Sequence, residues 1–304
     1  MCGIVGLFLK NPALEPELGR LTAVMLETMT GRGPDSAGFA VYGAGTQQSV
    51  KLTLRLPPEL NPASLATRFS QALGVEVPVT ARGDHAVLVV SAMQEPLARL
   101  LLEEEMPLVR IVGSGHSMEL YKGIGLPAQV STRFGLTGMA GTHAIGHTRM
   151  ATESAVTTAG AHPFSTGRDQ CLVHNGSLSN HNDVRRRLVR EGLSFETAND
   201  TEVAAGYLSW RMRDGARLDE ALTAALDDLD GFYTFVVGTE NGFGVLRDPV
   251  ACKPAVMAET DDYVAFGSEY RALVDLPGIE DAHIFEPEPA RVYFWERKTA
   301  EASA

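Results

Sequence analysis

The sequence predicts an α+β fold in which helices cover a largely antiparallel system of strands. Apolar, strand-like segments lie near both ends of the 304-residue chain, and segments with helical spacing lie between them. No internal repeat or low-complexity linker divides the sequence. We therefore expect one domain spanning residues 1–304, long enough to bury a large core.

The composition excludes several classes of protein. The formal net charge of −12 argues against a nucleic-acid surface and against an anionic membrane as partners. No apolar run approaches the roughly 18 residues of a membrane span, and the N-terminus lacks the pattern of a secretory signal. The three cysteines show no metal-ligand spacing and fit a reducing compartment. We therefore expect a cytoplasmic protein without a metal site.

The first elements alternate between strand and helix. Residues 4–8 are apolar and rich in β-branched and aromatic side chains, which is typical of a buried strand. Residues 17–30 place apolar side chains at helical spacing, and Gly31 is expected to end that helix. A glycine-rich loop follows, and residues 39–42 resume as a strand.

Residues 51–125 differ from the rest and are predicted to form a small α/β insertion. Asn61 followed by Pro62 is a typical helix start, and that helix is expected to reach Leu73. The stretch contains no catalytic pattern. His85 and His116 are expected at its surface or in turns.

The second half of the chain supplies strands and helices in alternation. Residues 170–174 are expected to form a strand that ends at Asn175 and Gly176, and residues 232–237, 244–247, 263–266 and 292–295 further strands. Helices are expected at 181–190, at 200–213 and from Leu218 to Leu229. Cys171 and Cys252 are expected to be buried hydrophobic residues.

Cys2 is the first candidate catalytic residue. Methionine aminopeptidase removes Met1 when a small residue follows, and removal would leave Cys2 with both a thiol and a free α-amine. Their reference pKa values, about 8.5 and about 8, lie near working pH, so the amine can serve as the base for its own thiol. The alternative is a buried thiol that merely follows Met1.

Further segments join Cys2 in a characteristic order: Cys2-Gly3-Ile4, residues 32–38, residues 146–152, Ala161–Phe164 with Val173–Gly176, and Asn199–Val203, followed by residues 247–254 and 267–269. Together they resemble the glutamine-binding domain of class II glutamine amidotransferases, which are N-terminal-nucleophile hydrolases. The resemblance covers about residues 1–45 and 140–275. It implies a four-layer αββα sandwich and L-glutamine as substrate.

The resemblance also implies a role for each site residue. Arg149 would bind the α-carboxylate of glutamine, since a guanidinium can pair with it through two hydrogen bonds, and Asp200 would bind the α-ammonium. The Asn175 side chain and the Gly176 backbone N–H would stabilise the oxyanion. The remaining residues of the site are Thr152 and His162, which would line the pocket, and Arg32, which would brace the surroundings of Cys2.

Taken singly, each of these residues has a simpler interpretation. Arg149 would be a surface ion-pair residue, Asp200 a helix N-cap, and Asn175-Gly176 a hairpin turn. Histidines such as His147, His162 and His174 would be structural, and His147 and His174 keep that interpretation within the family. The functional hypothesis therefore depends on the segments occurring together.

The partner and cofactor expectations also follow from the resemblance. Glu153-Ser154 stands where many sugar-phosphate amidotransferases have His-Gly, and only about thirty residues follow Glu269. We expect a separate synthase partner that resembles parts of the large glutamate synthase chain. The amidotransferase component of N-methylglutamate synthase and the GlxB-like proteins are of this type. No cofactor is expected in this chain; FMN or an iron–sulfur cluster would belong to the partner.

Two other functions stay open from the sequence. The protein could be a regulatory or scaffold subunit that binds glutamine or glutamate without catalysis. It could also be an N-terminal-nucleophile hydrolase of another amide, which would not require Arg149 or Asp200.

Overall fold

Three antiparallel sheets form the framework of the protein, a computed structural model that describes residues 2–151 and 155–297. Met1 and Thr152, two residues that enter the sequence argument, lie outside the described residues. The strands in chain order are β1 (Gly3–Leu9), β2 (Ser36–Tyr42), β3 (Ser49–Arg55), β4 (Val79–Arg82), β5 (His85–Ser91), β6 (Arg110–Gly115), β7 (Met118–Ile124), β8 (His143–Arg149), β9 (Phe164–Gly167), β10 (Gln170–Leu178), β11 (Gly231–Gly238), β12 (Gly242–Arg247), β13 (Val256–Glu259), β14 (Tyr263–Gly267), β15 (His283–Phe285) and β16 (Val292–Glu296).

Seven α-helices cover these sheets in the described part of the chain. They are α1 (Leu18–Thr28), α2 (Pro62–Leu73), α3 (Glu95–Glu105), α4 (Pro127–Phe134), α5 (His181–Arg190), α6 (Asp200–Arg213) and α7 (Leu218–Asp228). The observed bounds of α2, α5 and α6 are those that the sequence predicts. Helix α1 ends earlier than expected, and a 3-10 turn continues from Met29 through Gly31 to Arg32.

Two of the sheets stack face to face. The seven-stranded sheet has the order β15-β13-β14-β1-β8-β2-β7, and the five-stranded sheet has the order β16-β12-β11-β10-β9. A shared core that includes Ile4, Phe8, Val236 and Phe243 fills the space between them. Both faces of β1 are covered, which explains why its sequence is a continuous apolar run without alternation.

Helices form the two outer layers. Helix α1 packs on β1 and β8, and α4 packs on β2, on the outer face of the seven-stranded sheet. Helices α5, α6 and α7 share a core with the five-stranded sheet, to which Val203, Tyr207 and Trp210 contribute as the periodicity predicts. The layers are therefore helix, sheet, sheet and helix, and the predicted αββα class is confirmed.

The insertion is a separate sheet with its own core. Strands β4-β5-β3-β6 pack against α2 and α3 around buried residues such as Leu52, Phe69 and Leu88. This sheet spans residues 49–115, whereas β7, which the sequence places within the insertion, belongs to the seven-stranded sheet. Because Tyr42 of β2 lies opposite Met118 of β7, the insertion occupies the loop of a β-hairpin.

Two histidines of this region contradict the surface prediction. His85 is fully buried, with its ring edge-on to Phe134 at 4.8 Å between centroids. His116 is also buried, and its Nδ1 lies 2.8 Å from the carbonyl oxygen of Ser49. Both side chains are covered because the insertion packs against the body of the protein, which sequence periodicity within one segment does not reveal.

Candidate functional site

Cys2 and Arg149 lie at the tips of two neighbouring strands. The last registered pair between β1 and β8 is Gly3 opposite Thr148, so Cys2 and Arg149 are the next residues on the two strands. Cys2 is partly exposed, whereas Arg149 is only 8% exposed. Opposed residues on antiparallel strands have Cα atoms about 4.5–5.5 Å apart, so the thiol residue stands beside the proposed carboxylate-binding guanidinium.

The strand that carries Cys2 is fixed on its other side by Ser268. The Ile4 N–H donates to Ser268 Oγ at 2.9 Å, and the Ser268 N–H donates to the Ile4 carbonyl at 2.9 Å. Gly33 allows the third chain segment to approach, because a Cβ there would lie 2.4 Å from the Thr148 carbonyl carbon. The backbone around the thiol is therefore held on both sides.

Arg32 braces Cys2 through its backbone. Its Nε donates to the Cys2 carbonyl at 2.8 Å, and its Nη1 pairs with Glu269 at 2.7 Å. The hydrogen bond from Arg32, together with Arg271, lowers the pKa of the Glu269 carboxyl below its usual value. The structure thus gives Arg32 contacts with protein groups around the nucleophile, as the sequence predicts, and its substrate contact stays a prediction.

Asn175 connects the five-stranded sheet to Cys2. Its Nδ2 donates to the Cys2 carbonyl oxygen at 3.2 Å. Asn175 and Gly176 lie within β10, which continues to Leu178, so the simpler hairpin-turn interpretation is wrong. Gly176 has φ +152°, and a Cβ there would lie 2.0 Å from the Phe232 carbonyl oxygen, so no other residue fits at this position without a shift of β11.

Asp200 is the first residue of α6 but does not cap it. The cap is Asn199, whose side chain accepts the Thr201 N–H at 2.8 Å. The Asp200 Oδ2 accepts the N–H of Leu178 at 2.9 Å, two residues beyond Gly176. This contact holds the Asp200 carboxylate against the end of β10, on the same side as the oxyanion candidates.

A buried group of histidines lies behind these residues. The rings of His147 and His162 stack with centroids 4.0 Å apart. His162 Nε2 and His174 Nδ1 lie 2.7 and 3.0 Å from Thr201 Oγ1, and His147 Nε2 lies 3.1 Å from the His174 carbonyl oxygen. This histidine group therefore joins β8, β10, the β9 approach and the first turn of α6.

Burial sets the protonation of this group. It lowers the pKa of His147 to about 3 and that of His162 well below the ordinary value. Burial also lowers the pKa of His174, against the opposing effect of Asp200. The three rings are therefore neutral at neutral pH. His162 lies beneath the site as part of this layer, and its proposed contact with substrate stays a prediction.

The other two cysteines differ from each other. Cys171 is buried as expected, its Sγ lies 3.3 Å from the Tyr42 hydroxyl, and burial raises its pKa to about 12. Cys252 is exposed, which contradicts the expectation that it is a buried hydrophobe. Its segment is held by Arg247, whose guanidinium donates to the carbonyl oxygens of Ala251 and Lys253, and these bonds turn the chain outward.

Two residues that the sequence did not single out support the site. Thr201 receives contacts from two histidines, and its position beside Asp200 was the only sequence signal for it. Lys122 is 6% exposed, and its Nζ donates to the carbonyl oxygens of Ala159, Ala161 and Pro163 at 3.0–3.3 Å. Nothing in the sequence around Lys122 indicates this role.

Two searches over the described residues gave negative results. No group of three or more His, Cys, Asp or Glu side chains there is arranged to hold a metal ion. None of the helices that the structure describes has the length and apolarity needed to span a bilayer.

Comparison with known proteins decides the family. The chain is 62% identical to the glutamine amidotransferase-like protein GlxB of Rhizobium meliloti, over 99% of this chain and 100% of that protein. The chain belongs to the class II glutamine amidotransferase family. A putative glutamine amidotransferase of Methanothermobacter thermautotrophicus is 32% identical over 96% of this chain and 99% of its own length. The family profile of the glutamine amidotransferase domain matches residues 147–275.

Solved structures of two amidotransferases share the fold of this class II family member. The phosphoribosylpyrophosphate amidotransferase of B. subtilis matches 97% of this chain with a TM-score of 0.61 and 20% identity. An allosteric regulatory enzyme of purine biosynthesis matches 97% with a TM-score of 0.63 and 21% identity. In both cases the match covers 47% of the solved chain.

Proposed function

We propose that the protein hydrolyses L-glutamine to L-glutamate and ammonia through a γ-glutamyl thioester on Cys2, and supplies the ammonia to a separate synthase subunit. The observation that carries the proposal is the meeting of Cys2, Arg149 and Asn175 at one point where two sheets approach each other. Asp200 lies at the adjoining end of β10. These four groups match the parts of a zwitterionic amide.

The reaction begins with attack of the Cys2 sulfur on the side-chain carbonyl carbon of glutamine. The thiol proton passes to the α-amine that removal of Met1 would expose, and the oxyanion is stabilised by Asn175 and the Gly176 N–H. The C–N bond breaks, and the proton moves from the amine to the leaving nitrogen, which departs as ammonia. Water then attacks the thioester, releasing glutamate and regenerating the thiol.

The amino-acid end of the substrate fixes its position. Arg149 pairs with the α-carboxylate and Asp200 with the α-ammonium, so the side-chain amide is directed towards Cys2. Thr152 is proposed to line the same pocket, with His162 beneath it. This arrangement explains why a site for glutamine needs charged residues on both sheets.

The separate synthase is supported by the lengths of the relatives. The two relatives named above match this chain over nearly their whole length, whereas the glutamine–fructose-6-phosphate aminotransferase of Thermococcus kodakarensis is matched over 21% of its length. We propose that the acceptor resembles parts of the large glutamate synthase chain, as in N-methylglutamate synthase, and carries any FMN or iron–sulfur cluster. Direct transfer protects ammonia from protonation in water.

Alkylation with a diazo ketone analogue of glutamine tests this function. We expect one adduct, on the peptide that begins with Cys2, and loss of at least about a thousandfold in ammonia release in Cys2→Ala. The matched control is Cys252→Ala, which removes an exposed thiol and should retain both labelling and activity.

The alternatives give different results in the same experiment. A regulatory subunit would bind glutamine without releasing ammonia in the unmodified protein. A hydrolase of another amide would cleave amides that lack the amino-acid head and would be indifferent to changes at Arg149 and Asp200. Undiminished ammonia release by Cys2→Ala would exclude the thioester mechanism.

A further inference from the structure

A cavity of about 890 Å³ lies between the insertion and the body of the protein, away from the proposed glutamine site. Strands β6 and β9 border it, each at the edge of its sheet, and α6 closes one side. Its wall contains none of the five residues Cys2, Arg149, Asn175, Gly176 and Asp200. Its volume falls in the range of roughly 300–1,000 Å³ that is typical of small-molecule sites.

The cavity wall combines an apolar surface with positive charge. Val112, Phe164 and Trp210 are among its apolar residues. The basic residues that line it are Arg55, Arg110, Lys122, Arg168 and Arg213, and the acidic ones are Glu196 and Glu202. A local excess of positive charge on a chain of net charge −12 favours an anion at this position.

The acidic residue deepest in the wall is not available to oppose an anion. Glu202 is buried, and its carboxylate accepts the N–H groups of Glu196 and Thr197 at 2.7 and 2.8 Å. In contrast, Arg55 is half-buried and forms no ion pair within the part of the chain that the structure describes. Its guanidinium is therefore the group best placed to receive a carboxylate, phosphate or sulfonate.

One loop separates this cavity from the proposed glutamine site. Thr158 and Ala159 face the cavity, whereas a Cβ built on Gly160 would lie 3.0 Å from Nη1 of Arg149. Lys122 also lines the cavity and binds the carbonyl oxygens of Ala159, Ala161 and Pro163. A ligand in the cavity therefore contacts the same backbone that packs against the carboxylate-binding residue.

We propose that this cavity binds a small organic anion with an apolar or aromatic body, and that its occupancy is coupled to glutamine binding through residues 157–163. The anionic group contacts Arg55 and Arg110, and the apolar body packs towards Phe164 and Trp210. The coupling rests on the proposed function, but the binding of the anion does not.

Binding is tested with anilinonaphthalene sulfonate, an aromatic sulfonate that fluoresces in apolar surroundings. We expect one saturable site, and affinity about tenfold weaker in Arg55→Gln because a charge-assisted hydrogen bond is lost. Arg110→Gln, which changes an exposed side chain, should weaken binding in the same direction. The uncharged N-phenylnaphthylamine should bind more weakly than the sulfonate.

The matched control is Arg68→Gln, which removes a cation from the outer surface of the insertion, where Arg68 pairs with Glu105. Its probe affinity should equal that of the unmodified protein. No saturable binding, or equal affinity in all three arginine variants, would overturn the site.

Coupling is tested in Cys2→Ala, which should bind glutamine without turnover. Calorimetry measures glutamine binding with and without the probe, and fluorescence measures probe binding with and without glutamine. Linkage requires the two affinities to change by the same factor. Glutamine binding that is unaffected by saturating probe would overturn the coupling, whereas absence of glutamine binding in either condition would count against the proposed function instead.

Discussion

The two stacked sheets supply different halves of the candidate site. The tips of β1 and β8 in the seven-stranded sheet carry Cys2 and Arg149, while β10 of the five-stranded sheet carries Asn175 and Gly176. Asp200 joins the second half through Leu178. The first half offers the nucleophile and the cation, and the second offers neutral donors and the anion. The site therefore depends on the relative position of the sheets, and the bond from Asn175 to the Cys2 carbonyl oxygen joins them.

The largest effect after loss of the nucleophile is expected at Asn175. Asn175→Ala removes both an oxyanion donor and the bond between the sheets, so kcat should fall by about 10²–10³ with a smaller change in KM. Steady-state ammonia release measures this. Asn180→Ala, a change at the start of α5 that does not touch Cys2, should leave kcat near the unmodified value. A normal kcat in Asn175→Ala would refute the oxyanion role.

A smaller effect is expected when the cation of the first half keeps its charge but loses its geometry. Arg149→Lys cannot form the paired hydrogen bonds of a guanidinium with a carboxylate, so KM for glutamine should rise about tenfold with kcat little changed. Arg20→Lys, on the exposed face of α1, is the control. If KM stays the same in Arg149→Lys, the carboxylate of glutamine is bound elsewhere.

The smallest effect concerns the buried histidines between the two halves. Because burial lowers the pKa of His147 to about 3, the unfolded chain binds a proton below about pH 6.5 while the native protein does not. The free energy of unfolding should therefore fall as pH is lowered from about 6.5 towards 3. The same direction holds for His162 and His174, whose pKa values burial also lowers.

His147→Gln isolates one of these contributions, since its side-chain amide can still donate to the His174 carbonyl but does not titrate. Denaturant unfolding across this pH range should show a loss smaller by an amount on the order of 1–3 kcal/mol. His283→Gln, at the exposed edge strand β15, is the control. An unchanged pH dependence in His147→Gln would mean that this ring is protonated in the native protein.

The sequence predicts the layers of the fold well because its signals there are local. Asn61 caps α2 as expected, and the inward positions of α6 follow from helical spacing. Strands β4, β9 and β13 were missed, since four residues with partly exposed side chains provide little periodicity. The assignment of β7 to the seven-stranded sheet depends on pairing with β2, which no local pattern encodes.

The site was predicted from motifs, but its geometry was not. The sequence could not show that Cys2 and Arg149 are neighbours, because that follows from the register of β1 and β8. It could not show that Asn199, and not Asp200, caps α6, because both residue types are good caps. Lys122 was missed because its three acceptors are backbone carbonyls more than thirty positions away.

The position of Tyr42 opposite Met118 bears on how such a protein can change over time. The chain departs from the seven-stranded sheet and rejoins it at a single point, so a tight turn could replace everything between without shifting any other pairing. Closing a longer connection costs only about 0.6 kcal/mol for each doubling of its length. One genetic event could therefore add or delete residues 49–115 as a module, and with them one wall of the cavity that β6 and β9 border.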